Sequence, residues 1–291
     1  MTILVTGSTG KIGSRVIDHL ADQPVTVKAL VRDGSKELPE HVQKVEGDLA
    51  DPDSMRAALD NVDTLFLLNA VSPDELTQAL ITLDIAAEVG IERIVYFSVF
   101  NGPLFTDVPH FTAKHTVEQV IDARALPATI LRPAYFFQND AMFGQAIQQG
   151  IYPMPVSNVG IAMVDADDIA AVAASELVRR DQSPTPLPRT TIEIVGPETL
   201  TGPELAAIWS EVTGRDVRYG GDDLEVNEQR TRQFAPAWQA RDMRMMLRAF
   251  QQYGMVPSPT ARSILLSVLG REPRSYVDFA REVAANWEKK A

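Results

Sequence analysis

Apolar residues arrive in short blocks through the first two-thirds of the chain: Ile3-Leu4-Val5, Val25 to Val31, Val62 to Leu68, Arg93 to Val99 and Thr129 to Leu131. Runs of this length, apolar on both faces, suit parallel strands covered by helices on each side. Between the blocks the spacing becomes helical, with punctuation at the ends. Asp51-Pro52 offers an N-cap followed by proline at the first helical position. Ser72-Pro73-Asp74-Glu75 reads as a capping box, and Gly90 stands where that helix would stop. Strand alternating with helix predicts an α/β fold, a doubly wound and mostly parallel sheet with right-handed crossovers. A helix over Asp167 to Arg180 precedes a proline-rich surface loop at 181–189, and a strand over Thr191 to Val195 rejoins the sheet.

After Gly196-Pro197 the pattern turns mainly helical, which divides the chain into a domain over 1–196 and a smaller helical lobe over 197–291. Thr201-Gly202-Pro203-Glu204 is a second capping box, opening a helix that Gly214 closes, and a short strand follows at 215–220. Helices are expected over Ala237 to Tyr253, Pro259 to Leu269 and Tyr276 to Lys289. In the last, Tyr276, Ala280, Val283 and Trp287 form one apolar stripe that should pack on the main body.

The formal charge of −12 argues against a nucleic-acid partner, which needs basic surface. Arg241, Arg244 and Arg248 share one helical face, read as a solvated one. With no cysteine, thiol nucleophiles, disulfides and thiolate metal sites are excluded. No basic leader precedes the first strand and no run is long enough to span a bilayer, so the chain reads as soluble and cytoplasmic.

The candidate chemistry starts at "VTGSTGKIG", where Gly7, Gly10 and Gly13 lie between the first strand and an amphipathic helix. Glycines there allow a tight turn and let the backbone approach a pyrophosphate on free N–H groups at a helix N-terminus. Thr9, Lys11 and Ile12 belong to the same loop. Arg32 follows the second strand and favours a 2′-phosphate, hence NADPH, with NADH possible if Asp33 reads the ribose instead. Asp48 and Leu49 after the third strand are candidates for the adenine, and Asn69 and Ala70 end the fourth strand at the crevice. Asp165, Asp167 and Asp168 resemble a metal cluster, but Asp167 as a helix cap with acids at the helix start gives the plainer account, and no metal is expected.

"TGSTGKIG", "ALVRD", "GDLADPDSM", "VYFSV", "LRPAYFFQN", "VDADDIA", "GPETLTGPELAAIWSEVTGRDVRY" and "FAREVAANW", in this order, resemble the NmrA-like, atypical branch of the short-chain dehydrogenase/reductase superfamily along nearly the whole chain. The resemblance implies a Rossmann domain, a small substrate lobe and a cleft between them. It also implies either an NAD(P)H-dependent reductase, of quinones for example, or a regulator that binds the dinucleotide without turnover. Typical superfamily members carry a serine at the end of the fifth strand, and a tyrosine and lysine four apart on the next helix. By that resemblance Ser98 holds the serine position and Lys114 the lysine position, while "HFTAK" puts His110 where the tyrosine would stand; no YxxxK exists anywhere in the chain.

Residues four apart share a helix face, so His110 and Lys114 reach one side. Lys114 would bond the nicotinamide ribose and steady an oxyanion, and His110 would give a proton unless it lies in a loop before the helix. His115 points elsewhere and is expected at the surface. The resemblance also makes Phe136, Phe137 and Asn139 substrate-pocket candidates, with ordinary core as the alternative for the phenylalanines; Phe105 and Tyr152 could cover a flat apolar acceptor. The reading is an NADPH-dependent reductase of an apolar acceptor such as a quinone or activated ketone, with a non-catalytic dinucleotide sensor as the alternative. Oligomeric state is left open.

Overall fold

The structure, a computed structural model, describes residues 1–289, so the last two positions of the expected second domain lie outside the described residues. The chain forms two compact units, one from Met1–Gly102, His110–Arg132 and Ala166–Ile192, the other from Pro103–Pro109, Pro133–Asp165 and Glu193 onward. It therefore enters the second unit at 103, 133 and 193, against the single crossing at 196 expected from the pattern.

The chain begins with β1 (Thr2–Val5), α1 (Gly13–Leu20), β2 (Thr26–Val31), β3 (Val42–Glu46), α2 (Pro52–Ala58) and β4 (Thr64–Leu67). Next come α3 (Glu75–Glu88), β5 (Ile94–Phe97), α4 (Pro109–Ala123) and β6 (Ala128–Pro133). The second unit takes up β7 (Tyr135–Phe136), a 3-10 turn over Phe137–Phe143, α5 (Gly144–Gln148), β8 (Ile151–Tyr152) and β9 (Ile161–Val164). After α6 (Ala166–Asp181) and β10 (Thr190–Ile194) come β11 (Thr199–Leu200), α7 (Gly202–Thr213), β12 (Arg218–Tyr219) and α8 (Leu224–Thr231). The chain closes with α9 (Ala237–Tyr253), α10 (Ala261–Leu269) and α11 (Tyr276–Glu288).

The main sheet has the order β10-β6-β5-β4-β1-β2-β3. Its pairs from β3 to β6 are parallel, with Ile3 opposite both Val27 and Thr64. Strands are added outward from β1 to β3, then the chain crosses back to β4 and builds the other way. That reversal leaves a crevice at the carboxyl ends of β1 and β4, where open α/β sheets take ligands. Helices α2, α3 and α4 cover one face, with Met55, Leu83, Val117 and Ile121 packed around Leu4, Leu65, Tyr96 and Ile130. The alternate strand residues Ile3, Val5, Phe66 and Val95 are buried on the opposite face, where α6 lies along β4 and β5 and packs on α1. The proline-rich loop is tied down by the buried Arg180 guanidinium, which donates to the carbonyls of Pro127, Leu187 and Pro188.

Local signals mostly meet their elements. Asp51 caps α2 through the amide of Asp53, and Thr201 and Glu204 form the reciprocal capping box of α7, which ends on left-handed Gly214. The box expected at 72–75 does not form. Asp74 makes no cap bond and accepts from the Ser72 hydroxyl, while Glu75 is buried beside a lysine from another helix. Helix α6 starts one residue before Asp167, which sits in its first turn and pairs with His19 rather than capping.

The second unit is held by aromatic packing rather than by a large sheet. In α11, Tyr276 and Ala280 are buried while Val283 and Trp287 are half-buried. The stripe meets Trp209 of α7 and Phe137 within this unit. Arg241 and Arg248 of α9 are exposed, as expected, and Arg244 is half-buried; Arg241 and Arg244 converge with Arg232 on buried Glu228, and Arg248 pairs with Asp107. The short strand expected at 215–220 is β12, but β7, β8, β11, α5 and α8 were not foreseen, because segments this short show little periodicity.

Candidate functional site

The glycine loop joins the end of β1 to α1. Gly7 has φ +60°, and a Cβ there would lie 2.4 Å from Leu68 Cδ2; a Cβ on Gly13 would lie 2.2 Å from the Gly7 carbonyl oxygen. Both positions are closed to side chains by the fold itself. Gly10 differs, because its added Cβ would meet only the Gly7 oxygen, at 3.2 Å. Thr6 laces the loop to the end of β4, its hydroxyl donating to Leu68 O at 2.9 Å, and the Ser8 hydroxyl donates to Leu30 O at 2.6 Å. Thr9, Gly10 and Lys11 are exposed, whereas the Ile12 side chain is buried and offers only backbone. Helix α1 begins with no side-chain cap and no acidic residue in its first turn.

Around the loop, Arg32 projects as an exposed side chain directly after β2. Asp33, its alternative as ribose reader, accepts from the Ser35 amide at 2.9 Å, and Ser35 holds its carboxyl below the ordinary value. Asp48 is exposed and closes a turn through the Ala50 amide, with Leu49 half-buried against the core. Asn69 is buried; its amide nitrogen reaches Gln78 at 3.5 Å, and its Oδ1 has no partner among the described residues. Ala70 is exposed.

Lys114 of α4 lies in the same unit, 6% exposed. Its Nζ is 3.8 Å from Glu75 Oε2, and both line a niche with Asn69, Leu76, Tyr96, Ala113 and Val117. Burial lowers the Lys114 pKa while the Glu75 carboxylate opposes the fall. Burial, and then the charges of Glu75 and Glu118, push the Tyr96 hydroxyl well above its ordinary value. His110 is the second residue of α4, so it stands on the helix rather than in a loop; it is half-buried with its ring edge-on to Phe111, centroids 4.7 Å apart.

Ser98 is not among the residues lining this niche. It is buried, and its hydroxyl donates to Glu118, which also takes Arg132 Nε at 3.0 Å. His115, expected at the surface, is half-buried, 3.7 Å from the same carboxylate. Sequence reasoning missed Glu75, Tyr96 and Glu118. Glu118 had a signal, one turn beyond Lys114; Glu75 and Tyr96 meet Lys114 only through the tertiary fold.

The five substrate candidates lie in the second unit. Phe105, Phe137 and Tyr152 are sealed into its core, against Phe250, Phe279 and Asp140 respectively, and show no surface to a ligand. Phe136 and Asn139 are half-buried. Asp165, of this unit, is held by Arg274 and Gln138.

Comparison with known proteins agrees with this architecture. The model of the NmrA-like family matches residues 1–280. An NAD(P)H azoreductase of Xenophilus azovorans is 31% identical over 290 residues, covering 97% of this chain and 98% of that protein. The NADPH-dependent quinone oxidoreductase of Escherichia coli, solved with NADPH, superposes with a TM-score of 0.85 at 18% identity, over 97% of this chain and 99% of that one. NmrA, a negative transcriptional regulator solved with NADP, superposes at 0.80 and 20% identity, over 99% and 97%. With a family model spanning nearly all of its length and a relative that aligns from end to end, the chain belongs to the NmrA-like family.

Proposed function

We propose that this protein is an NAD(P)H-dependent reductase, with NADPH preferred, acting on a flat apolar acceptor such as a quinone, an azo compound or an activated ketone. The observation that carries the reading is the Lys114 ammonium, buried beside Asn69 and Tyr96 in the unit that also holds the glycine loop. The residues present fit a dinucleotide. A helix start without a side-chain cap, the exposed residues Thr9 to Lys11 and the orphaned Asn69 Oδ1 suit a pyrophosphate and a hydrogen-bonding ligand near β4. Arg32 supplies a guanidinium for a 2′-phosphate, and Asp48 and Leu49 an acceptor and an apolar edge for adenine.

A bound nicotinamide dinucleotide supplies the hydride. Lys114 bonds the ribose and offers positive charge to the anion that the acceptor becomes, inside a site where low polarity strengthens that attraction. His110, one turn earlier on α4, gives the proton that neutralises this anion. The azoreductase relative, which aligns with 97% of this chain, supports azo compounds as acceptors.

A second reading, a dinucleotide sensor without turnover, is favoured by one observation: the Ser98 hydroxyl is committed to Glu118 while His110 stands in place of the usual tyrosine. Consumption of NADPH and NADH by the purified protein against quinones, azo dyes and activated ketones decides between them, with dinucleotide binding titrated in the same samples. Turnover with any acceptor supports the reductase. Tight binding with no consumption supports the sensor, and no binding overturns both.

A further inference from the structure

Glu75 is an acid that its own helix does not explain. It opens α3, yet the expected capping role is absent and its side chain is turned inward, 4% exposed. Such burial is unfavourable for a carboxylate unless a cation answers it. The cation is Lys114 Nζ, 3.8 Å from Oε2. That spacing sustains an ion pair, and because an ammonium carries three donors the pair leaves others for further acceptors.

The other groups near Lys114 do not take over this part. Tyr96 faces it from β5 with its hydroxyl held neutral, and Asn69 approaches from the segment after β4 as an uncharged amide. On α4 itself, His110 precedes by one turn and Glu118 follows by one, but Glu118 is met by Arg132 and Ser98. We infer that Glu75 is the positioning residue of the Lys114 centre: its carboxylate keeps the buried side chain a charged ammonium in the niche with Asn69 and Tyr96, its protons available to a ribose hydroxyl and to the anion formed on an acceptor. The use of those protons rests on the reductase reading; the charge state of Lys114 does not, and the two are measured separately.

The test is a pH titration of the Lys114 side-chain methylene resonance in lysine-labelled, dinucleotide-free protein, assigned with Lys114→Met, for the wild type and Glu75→Gln. Removing the opposing charge lowers the midpoint by about one pH unit or more. An unchanged midpoint in folded Glu75→Gln overturns the inference. If Glu75→Gln does not fold, Glu75→Asp carries the test: its shorter reach weakens the pair and lowers the midpoint by a smaller step, and an unmoved midpoint again overturns it. The second readout is the pH profile of kcat/KM for NADPH-dependent quinone reduction, whose alkaline limb moves down with the resonance midpoint. A shifted midpoint in a protein without turnover upholds Glu75 and sinks the reductase reading. A uniform loss of activity with no shift in either curve shows a merely structural Glu75 and overturns the inference.

Discussion

A lysine with 6% of its surface exposed has given up most of its hydration, and that loss penalises the charged form. Lys114 therefore becomes neutral at a lower pH than an exposed lysine would, so reduction that depends on its ammonium declines early on the alkaline side. Lys114→Met, which refills the volume without the charge, is expected to cut kcat/KM by about 100-fold. A fall no larger than for an exposed lysine away from the glycine loop, such as Lys289→Met, would remove Lys114 from the mechanism. Arg32→Ala addresses the cofactor instead. Loss of a charge-assisted contact to a 2′-phosphate should weaken NADPH binding by roughly 10- to 100-fold and leave NADH nearly unchanged. Equal effects on both would return the ribose to another residue. Lys114 was singled out through the resemblance to the NmrA-like family, but its partner was not: the same sequence cue that suggests a cap at 72–75 is overridden once Glu75 has a buried cation within reach.

At the scale of the element, the loop before α1 contains glycines of two kinds. Gly13 is needed because a Cβ would drive into the Gly7 carbonyl, so Gly13→Ala should cost about 1–3 kcal/mol of stability by urea denaturation, along with dinucleotide binding. Gly10 has more room within the fold, and its replacement by alanine should leave stability within about 1 kcal/mol while weakening binding, since it is the exposed glycine of the loop. If Gly10→Ala binds as well as the wild type, the phosphate is not held at this turn. Helix α7, between Thr201 and Gly214, was readable because propensity, spacing and capping agree there, and α9 from Ala237 to Tyr253 was readable from its length and spacing, without a side-chain cap at its start. The 3-10 turn and the strands β7, β8 and β11 were not, the strands being set by pairing partners far away in sequence.

Across the whole molecule, one buried acid links stability to pH. Asp140 of the second unit accepts from the hydroxyls of Tyr152 at 2.8 Å and Tyr276 at 2.5 Å, and Tyr276 in turn accepts from Trp209 Nε1. Burial raises its pKa from 3.8 to about 7 despite those bonds. A raised folded-state value means the native form binds the proton more tightly, so this contribution is full below about pH 4 and is lost as pH rises through about 7. Burial keeps Tyr135, Tyr152 and Tyr276 neutral through that window, so they do not titrate against it. Urea denaturation at several pH values between about 4 and 8 should show the decline, and Asp140→Asn, which keeps an acceptor for both hydroxyls, should flatten it. The same slope in Asp140→Asn would assign the pH dependence elsewhere.

The sequence by itself determined the α/β class, the strand order of alternation, the glycine turn, and most long helices, because these depend on neighbours within a few residues. It also carried enough of the NmrA-like pattern for the family to be recognisable. Tertiary structure decided which polar side chains meet. Glu75 turns inward to Lys114 and Ser98 is tied to Glu118. Phe105, Phe137 and Tyr152 are core rather than surface, and the second unit draws on 103–109 and 133–165 as well as the C-terminal helices. The reason is physical: a buried charge or ring is stabilised by whatever partner the packed chain brings within a few ångströms, and that partner leaves no mark at a fixed spacing.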